Sequence, residues 1–174
     1  MTGDPSHFLA GYELQETAIP EGRGVNRGMC AVDASLILER LEEVRDITIR
    51  DGEYVGTGAD GLERTLRPER LCSMNLWAFQ PTIFEHLAEG FKRFHARLPE
   101  PLQSEFLLSD AVGGLVETGR ARVRVVPTGD RALGLTHPDD LPAVESGVSL
   151  SVAVGDYPTD LGEWFEERKG GIPG

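Results

Sequence analysis

The sequence predicts a layered α/β domain with a largely buried sheet. Three observations lead to this prediction: apolar runs of strand length recur along the chain, segments with helical periodicity separate the later runs, and 40% of the 174 residues are hydrophobic. The clearest example is "LCSMNLWAF" at 71–79, an apolar strand that is followed by Pro81 and a helix. In such sheets ligands bind beyond the carboxyl ends of the strands.

The first third of the chain predicts four strands. The first is "HFLAGYEL" at 7–14, and the second is "VNRGMCAVD" at 25–33. Alternation of apolar and polar residues favours two more strands at 36–42 and 46–55, although a helical period competes in this region. The Asp-Gly pair at 51–52 is typical of a tight turn, so we expect the chain to fold back there.

The middle of the chain predicts a helical layer between two strands. A polar loop, "TGADGLERTLRPER" at 57–70, leads into the strand at 71–79. Apolar residues at helical spacing predict a helix over 81–98, and a second helix is expected over 104–119, ending at a glycine. Valines that alternate with arginines in "ARVRVVP" predict a strand over 121–127.

The last part of the chain carries weaker signals. "ALGLTHPDDLPAVESGV" at 132–148 predicts a short strand, a helix cap and a helix, and the tail from Asp156 is rich in glycine and proline. No internal repeat and no linker composition is visible. We therefore expect a single domain over 1–168 and a frayed tail over 169–174.

The charge balance limits the classes of partner and compartment. Lys and Arg number 17 against 29 Asp and Glu, so the net charge is −12, and no basic run is present. We therefore expect neither nucleic acid nor an anionic membrane surface as a partner.

The start has no signal-peptide pattern, and no stretch approaches the ~20 apolar residues of a membrane span. Cys30 and Cys72 lie far apart in apolar contexts, which predicts buried free thiols in the cytoplasm.

The segment "GTGADG" at 56–61 matches the G-x-G-x-x-G pattern of dinucleotide-binding loops. A loop of that kind opens directly into a helix whose N–H groups face the phosphates. Here Pro68 follows too soon for a full crossover helix, so the pattern favours a Gly-rich surface loop. A dinucleotide-dependent oxidoreductase is therefore the weakest of the functional alternatives.

Several polar positions have both a structural and a functional interpretation. Asn75 stands in an apolar strand, so its carboxamide either finds partners in the core or faces a site. Glu105 follows Ser104 at an expected helix start, where the helix dipole favours a carboxylate. Thr136 and Asp139 have the spacing of a capping box with Asp in place of Glu.

Five segments then occur in a recognisable order: "GVNRGMC", "CSMNLWAFQPTIFEHL", "SEFLLSDAVGGLVETGRARVRVVPT", "GLTHPDDLPAVESGV" and "YPTDL". From about Phe8 to Leu161 this order resembles the C-terminal half of bacterial nucleotidyltransferases of the sugar-nucleotide type, the nucleoside-diphosphate-sugar pyrophosphorylases. It is similar, more distantly, to N-acetylglucosamine-1-phosphate uridylyltransferases. The resemblance implies a Rossmann-like mixed sheet flanked by helices, in a nucleotidyltransferase (GT-A-like) fold that lacks its N-terminal nucleotide-binding half.

Such enzymes transfer a nucleotidyl group from a nucleoside triphosphate to a sugar 1-phosphate and release pyrophosphate. The resemblance implies that this chain is the sugar-1-phosphate side of such an enzyme. The triphosphate-binding loop and the first metal-binding Asp of the family belong to the other half and have no counterpart here. We therefore expect the chain to be inactive by itself, with Met1 a fragment boundary or a misplaced start and the N-terminal half a missing partner.

The resemblance also implies site residues and a cofactor. The sugar-binding positions are Gly24, Asn75 and Glu105. The expected cofactor is Mg²⁺, with candidate ligands Thr136, Asp139 and Asp140. A Thr hydroxyl is a weaker Mg²⁺ ligand than a carboxylate, so either aspartate is an alternative to Thr136. No position is assigned a catalytic role.

The alternative function comes from a different class. It is a non-catalytic interaction or regulatory module that keeps the core of the family without its chemistry. An in-frame Gly-rich strand and loop upstream of the Met1 codon would favour the enzyme over this module.

Overall fold

The computed structural model describes residues 7–97, 105–135 and 137–168 of the chain. The chain divides into two compact units, the first ending at Ala132 and the second beginning at Leu133. The described part of the chain contains seven strands and four longer helices, and all seven strands lie in the first unit.

The seven strands form one open, mixed sheet in the order β5-β4-β3-β2-β6-β1-β7. Only the pair β1–β7 is parallel, and every other neighbouring pair is antiparallel. The α/β class and the mixed sheet that the sequence predicted are therefore confirmed. The strands are β1 (His7–Glu13), β2 (Val25–Val32), β3 (Leu38–Arg50), β4 (Glu53–Thr57), β5 (Glu63–Leu66), β6 (Leu71–Ala78) and β7 (Val123–Thr128).

Two helices connect β6 to β7, and the second of them packs on one face of the sheet. Helix α1 (Ile83–Arg97) buries Ile83 against Leu115 of helix α2 (Leu108–Glu117). Helix α2 packs on β3 and inserts Val112 into the core. The second unit contains α3 (Leu141–Ala153) and α4 (Leu161–Arg168), with a one-turn 3₁₀ helix before α3. None of the described helices is long and apolar enough to cross a membrane.

Each face of the sheet carries its own core, because successive side chains of a strand point to opposite faces. The helical face buries Leu9, Cys30, Leu38, Val112, Val123 and Val125. The opposite face buries Leu14, Met29, Val44, Ile47, Leu66 and Cys72. The two cysteines thus lie in different cores, and both are free and buried, as expected.

Part of the opposite face stays open to solvent. Phe8 of β1 is 38% exposed and Val126 of β7 is 46% exposed. Phe8 neighbours the buried Leu9 and Val126 neighbours the buried Val125, so both exposed side chains point away from the helices. Apolar surface therefore remains uncovered at the β1–β7 end of the sheet.

The region 36–55 differs from the sequence prediction. Instead of strands at 36–42 and 46–55, one 13-residue strand, β3, runs to Arg50 and turns back into β4. A bulge at residues 45–46, where Asp46 takes a φ of 51°, shifts the phase of the side-chain alternation and so looks like a strand break in the sequence. The turn at Asp51 and Gly52 is confirmed, since both have left-handed φ angles of 52° and 82°.

Other boundaries also differ. The predicted polar loop contains β5, and the short strand expected near 132–135 reduces to a single bridge between Thr17 and Ala132. Residues 161–168 form a helix within the segment that the sequence marked only as rich in glycine and proline. Residues 169–174, where fraying was predicted, lie outside the described residues.

Candidate functional site

A cavity of about 270 Å³ opens between β2 and β6, beside the N-terminal end of α2. Its walls come from residues 26–28 of β2, residues 73–75 of β6, and Leu41 and Glu43 of β3. The start of α2 closes it with Leu107, Ser109 and Asp110. We refer to this space as the strand-split cavity, because two neighbouring strands separate to form it.

The strands separate because β6 bulges. Against β1, Ser73 faces Gly11 and Trp77 faces Leu9, so three residues of β6 lie opposite one residue of β1. Against β2, β6 pairs only at Ser73 and Cys72 among the described residues. Beyond Ser73 the facing edges of β2 and β6 diverge, and the cavity lies between them.

Asn75 sits in this bulge with a φ of 59°. Asparagine tolerates the left-handed conformation better than most residues, which explains an amide at this point of an apolar strand. Its backbone N–H donates to Ser73 Oγ at 3.1 Å, and its Oδ1 accepts a long 3.5 Å hydrogen bond from Trp77 Nε1. Of the two interpretations of Asn75, partners in the core or a position facing a site, the geometry favours the second, because the residue is exposed at the cavity.

The bulge in β3 supports the opposite wall. Asn26 of β2 lines the cavity, and its Oδ1 accepts a hydrogen bond of 3.1 Å from the backbone N–H of Asp46. Asn26 therefore holds the bulge in place with its carbonyl oxygen, while its amide nitrogen has no hydrogen bond to any residue that the structure describes.

Gly24 lies just before β2, against the same bulge. A Cβ atom at this position would come within 2.8 Å of Asp46 Cα and 3.1 Å of its carbonyl carbon. The glycine is thus required for a close approach of two backbones in the protein. Gly24 is not part of the cavity lining.

Among the described residues one cation lines the cavity, and three of its N–H groups bind other parts of the protein. The Arg27 guanidinium donates to the carbonyl oxygens of Ala18 and Asn26, each at 2.9 Å, and to Thr17 Oγ1 at 3.4 Å. Burial lowers the pKa of Arg27. Arg27 therefore ties the segment after β1 to β2 and stands beside the cavity as a fixed structural charge.

Two carboxylates also line the cavity. Glu43 forms a salt bridge with Arg45 at 3.0 Å, whereas Asp110 makes no hydrogen bond or salt bridge with any described residue. Burial raises the pKa of the Asp110 carboxyl, the Glu43 charge raises it further, and Arg45 opposes this shift. Because Asp110 keeps much of its surface in solvent, water screens part of the repulsion.

Glu105 is not part of the cavity lining. Its expected helix start is wrong, since α2 begins at Leu108 and not near residue 104. The ring of Phe106 packs against Phe91 and Phe94 of α1, at centroid distances of 5.6 and 5.5 Å, and this contact accompanies the non-helical approach to α2. Glu105 is consequently exposed three residues before the helix, and Asp110 occupies the first turn instead.

The predicted Mg²⁺ ligands lie in the second unit. Thr136 is outside the described residues, and Asp139 is exposed. Asp140 is buried, and its Oδ2 accepts a hydrogen bond of 2.9 Å from the backbone N–H of His137. The capping box is therefore formed by His137 and Asp140, one residue later than the predicted pair. No group of three His, Cys, Asp or Glu residues suited to a metal ion occurs in the described part of the chain.

The "GTGADG" segment forms the turn between β4 and β5. Gly58 N–H donates to Leu62 O at 3.0 Å, and the Arg64 guanidinium donates to both carboxylate oxygens of Asp60 at 2.7 Å. The segment continues into a strand and not into a helix, which removes the geometry that a phosphate-binding loop requires. The segment is thus the end of β4 and a hairpin turn in which Gly58 is buried, and the surface-loop interpretation fits only its exposed residues 59–61.

A second cavity of about 360 Å³ lies within the second unit. It is lined mainly by Tyr157, Pro158, Leu161, Trp164 and Phe165. This cavity is apolar and aromatic, in contrast to the mixed polar lining of the strand-split cavity.

Sequence reasoning reached only part of the strand-split cavity. It singled out Asn75 and assigned no role to Asp110. Glu43 was missed because nothing local distinguishes it from other charged residues on strands. The signal that could have found Arg27 and Asn26 is the "GVNRG" segment, whose polar pair interrupts an otherwise apolar strand.

Comparisons with known proteins add no relative: no family model matches this chain, and no curated protein matches it.

Proposed function

We propose that this chain forms the sugar-phosphate side of a nucleotidyltransferase, an enzyme that transfers a nucleotidyl group from a nucleoside triphosphate to a sugar phosphate and releases pyrophosphate. One observation carries the proposal. Three segments of the resemblance, "GVNRGMC", "CSMNLW" and "EFLLSDAV", are distant in the sequence, and all three contribute residues to the strand-split cavity.

The lining of this cavity suits hydroxyl groups. A sugar hydroxyl both donates and accepts hydrogen bonds, and it needs both kinds of partner. Asp110 offers carboxylate oxygens as acceptors, while the side-chain amide nitrogens of Asn26 and Asn75 are donors without a partner among the described residues. A cavity built on two strands and a helix also holds these groups in fixed positions.

In the proposed reaction, an oxygen of the sugar phosphate attacks the α-phosphorus of the triphosphate, and pyrophosphate leaves. The residues of this chain bind and orient the acceptor sugar, which keeps the attacking oxygen in line. The described residues include no loop with the geometry to hold a triphosphate. We therefore expect no pyrophosphate release from this chain with any nucleoside triphosphate and sugar 1-phosphate unless a triphosphate-binding element is supplied.

Mg²⁺ remains a prediction of the resemblance. When bound, it would neutralise charge on the phosphates. Of its three candidate ligands, Asp140 already serves as a helix cap and Asp139 stands exposed with no third ligand grouped beside it in the described chain. These two aspartates alone do not complete a Mg²⁺ site, so we assign no step of the reaction to the metal.

The test uses Asn75→Gly and a matched control. Glycine accepts a φ of 59° more readily than asparagine, so this substitution removes the carboxamide and keeps the bulge. Asp51→Gly makes the same kind of change at a φ of 52° in the β3–β4 turn, outside the cavity lining. Binding of glucose, galactose and mannose 1-phosphates is measured by ligand-observed NMR for all three proteins.

We expect the unsubstituted chain and the Asp51→Gly control to bind at least one of these sugar phosphates equally well. Asn75→Gly should weaken that binding by about 1 kcal/mol, the typical contribution of one hydrogen bond. If the unsubstituted chain binds none of them, the proposal is wrong and the non-catalytic interaction module becomes the better account.

A further inference from the structure

Charged side chains line the strand-split cavity. Glu43 and Asp110 are both part of its lining, and Arg27 is the one basic residue among the described lining residues. The guanidinium of Arg27 donates to Ala18, Asn26 and Thr17, so its direction is fixed by the protein. Arg45 is not part of the lining; it pairs with Glu43, and its charge also acts on Asp110, where it opposes the rise in pKa.

Asp110 is the member of this group without a fixed partner. It makes no hydrogen bond and no salt bridge within the described chain, although it stands in the first turn of α2 at the cavity. The pKa of its carboxyl is raised by burial and by the charge of Glu43. An ammonium on the sugar ring beside Asp110 would relieve this repulsion, and a ring carboxylate beside Asp110 would add to it.

We propose that the strand-split cavity selects its sugar by charge, favouring sugar phosphates that carry a protonated amine on the ring over neutral ones, and rejecting those that carry a ring carboxylate. This inference rests on the proposed function, because it assumes that the cavity holds the sugar. It adds the class of sugar and names Asp110 as the residue that determines specificity.

The phosphate group does not decide this selection. It is common to all sugar 1-phosphates, so any difference among them reports the ring substituents. Asp110 is the charged lining residue without a hydrogen bond or salt bridge in the described chain, so its carboxylate is the group that distinguishes an ammonium from a hydroxyl or a carboxylate. Glu43 is paired with Arg45, and three N–H groups of Arg27 hold that guanidinium in place.

The experiment compares three ligands of one configuration. These are the hexose 1-phosphate that the chain binds most tightly, its 2-amino-2-deoxy derivative and its uronic acid derivative, titrated at neutral pH by isothermal calorimetry or NMR. Two variants accompany the unsubstituted chain. Asp110→Asn removes the charge at the cavity, and Glu117→Gln removes one charge at the exposed far end of the same helix.

For the unsubstituted chain and for Glu117→Gln, we expect the amine to bind about tenfold more tightly than the neutral sugar, and the uronate about tenfold more weakly. In Asp110→Asn both differences should shrink to about twofold. Equal affinities for the three ligands in the unsubstituted chain would overturn the inference and leave the proposed function standing. If Asp110→Asn keeps the same differences in affinity among the three ligands, Asp110 does not determine the specificity. If the unsubstituted chain binds none of the ligands, the proposed function itself is refuted.

Discussion

Asn75 and Asp46 show how single residues shape the cavity. Both take left-handed φ angles, 59° and 51°, which cost little for Asn or Asp and more for most other side chains. Each lies in a bulge, one on β6 and one on β3. Left-handed residues in strands often mark functional sites, where the surrounding structure holds them in place. Here the two bulges flank the strand-split cavity, and Asn26 connects the cavity wall to the second one.

Gly24 gives a prediction at the same scale. Gly24→Ala should lower the free energy of unfolding by about 1–3 kcal/mol, because the added Cβ would lie 2.8 Å from Asp46 Cα and backbone atoms cannot move aside easily. Gly129→Ala is the matched control, since a Cβ there meets nothing within 4 Å. Its effect should stay within about 0.5 kcal/mol. Denaturant unfolding of both variants measures this difference.

The opposite result would change the interpretation of Gly24. If Gly24→Ala unfolds like the parent protein and instead loses affinity for a sugar 1-phosphate, then Gly24 contacts the ligand, as the resemblance implied.

At the scale of elements, the sequence predicted those whose signal is local. β1, β2, β6 and β7 carry apolar residues in strand pattern, and α1 carries an apolar stripe that begins with the buried Ile83. The Asp-Gly turn was predictable because its residues favour left-handed angles. These elements can be predicted from their local sequence, without information about the residues that pack against them.

The elements that the sequence missed depend on tertiary contacts. β3 looked like two strands because its bulge is fixed by Asn26, a residue 20 positions away. The start of α2 was misplaced because Phe106 packs on α1, which a local capping pattern does not reveal. The cavity also depends on tertiary contacts, because Glu43, Asn75 and Asp110 come together only when β3, β6 and α2 are assembled.

At the scale of the whole molecule, His7 links stability to pH. The side chain is buried, its Nδ1 accepts a hydrogen bond of 3.3 Å from the backbone N–H of Gln80, and its ring lies edge-on to Phe79 at 5.6 Å. Burial lowers the pKa of His7, and the nearby His86 lowers it further. The unfolded chain takes up a proton at this histidine below about pH 6.5, while the folded protein resists protonation.

The unfolded state therefore binds more protons as the pH falls, and folding should lose stability below about pH 6.5. Above that pH both states hold neutral His7, and the effect is absent. The slope from this one group is at most about 1.4 kcal/mol per pH unit. In His7→Asn, whose Oδ1 can also accept a hydrogen bond, this part of the pH dependence should disappear. The control His95→Asn, at an exposed position of α1, should keep it.

Urea unfolding at pH 7.5, 6.5 and 5.5 measures the comparison. If the parent protein and His7→Asn lose stability in parallel as the pH falls, the acid sensitivity comes from other groups and this account of His7 is wrong.

The central claim is that a sugar phosphate binds in the strand-split cavity, and amide chemical shifts of the ¹⁵N-labelled chain test it most directly. On titration with the best-binding hexose 1-phosphate, we predict shifts that concentrate in residues 26–28, 73–75 and 107–110, including the side-chain amide of Asn75. Residues 155–165 around the aromatic cavity should not change. Shifts confined to that second cavity, or scattered without a cluster at the strand split, would contradict the claim.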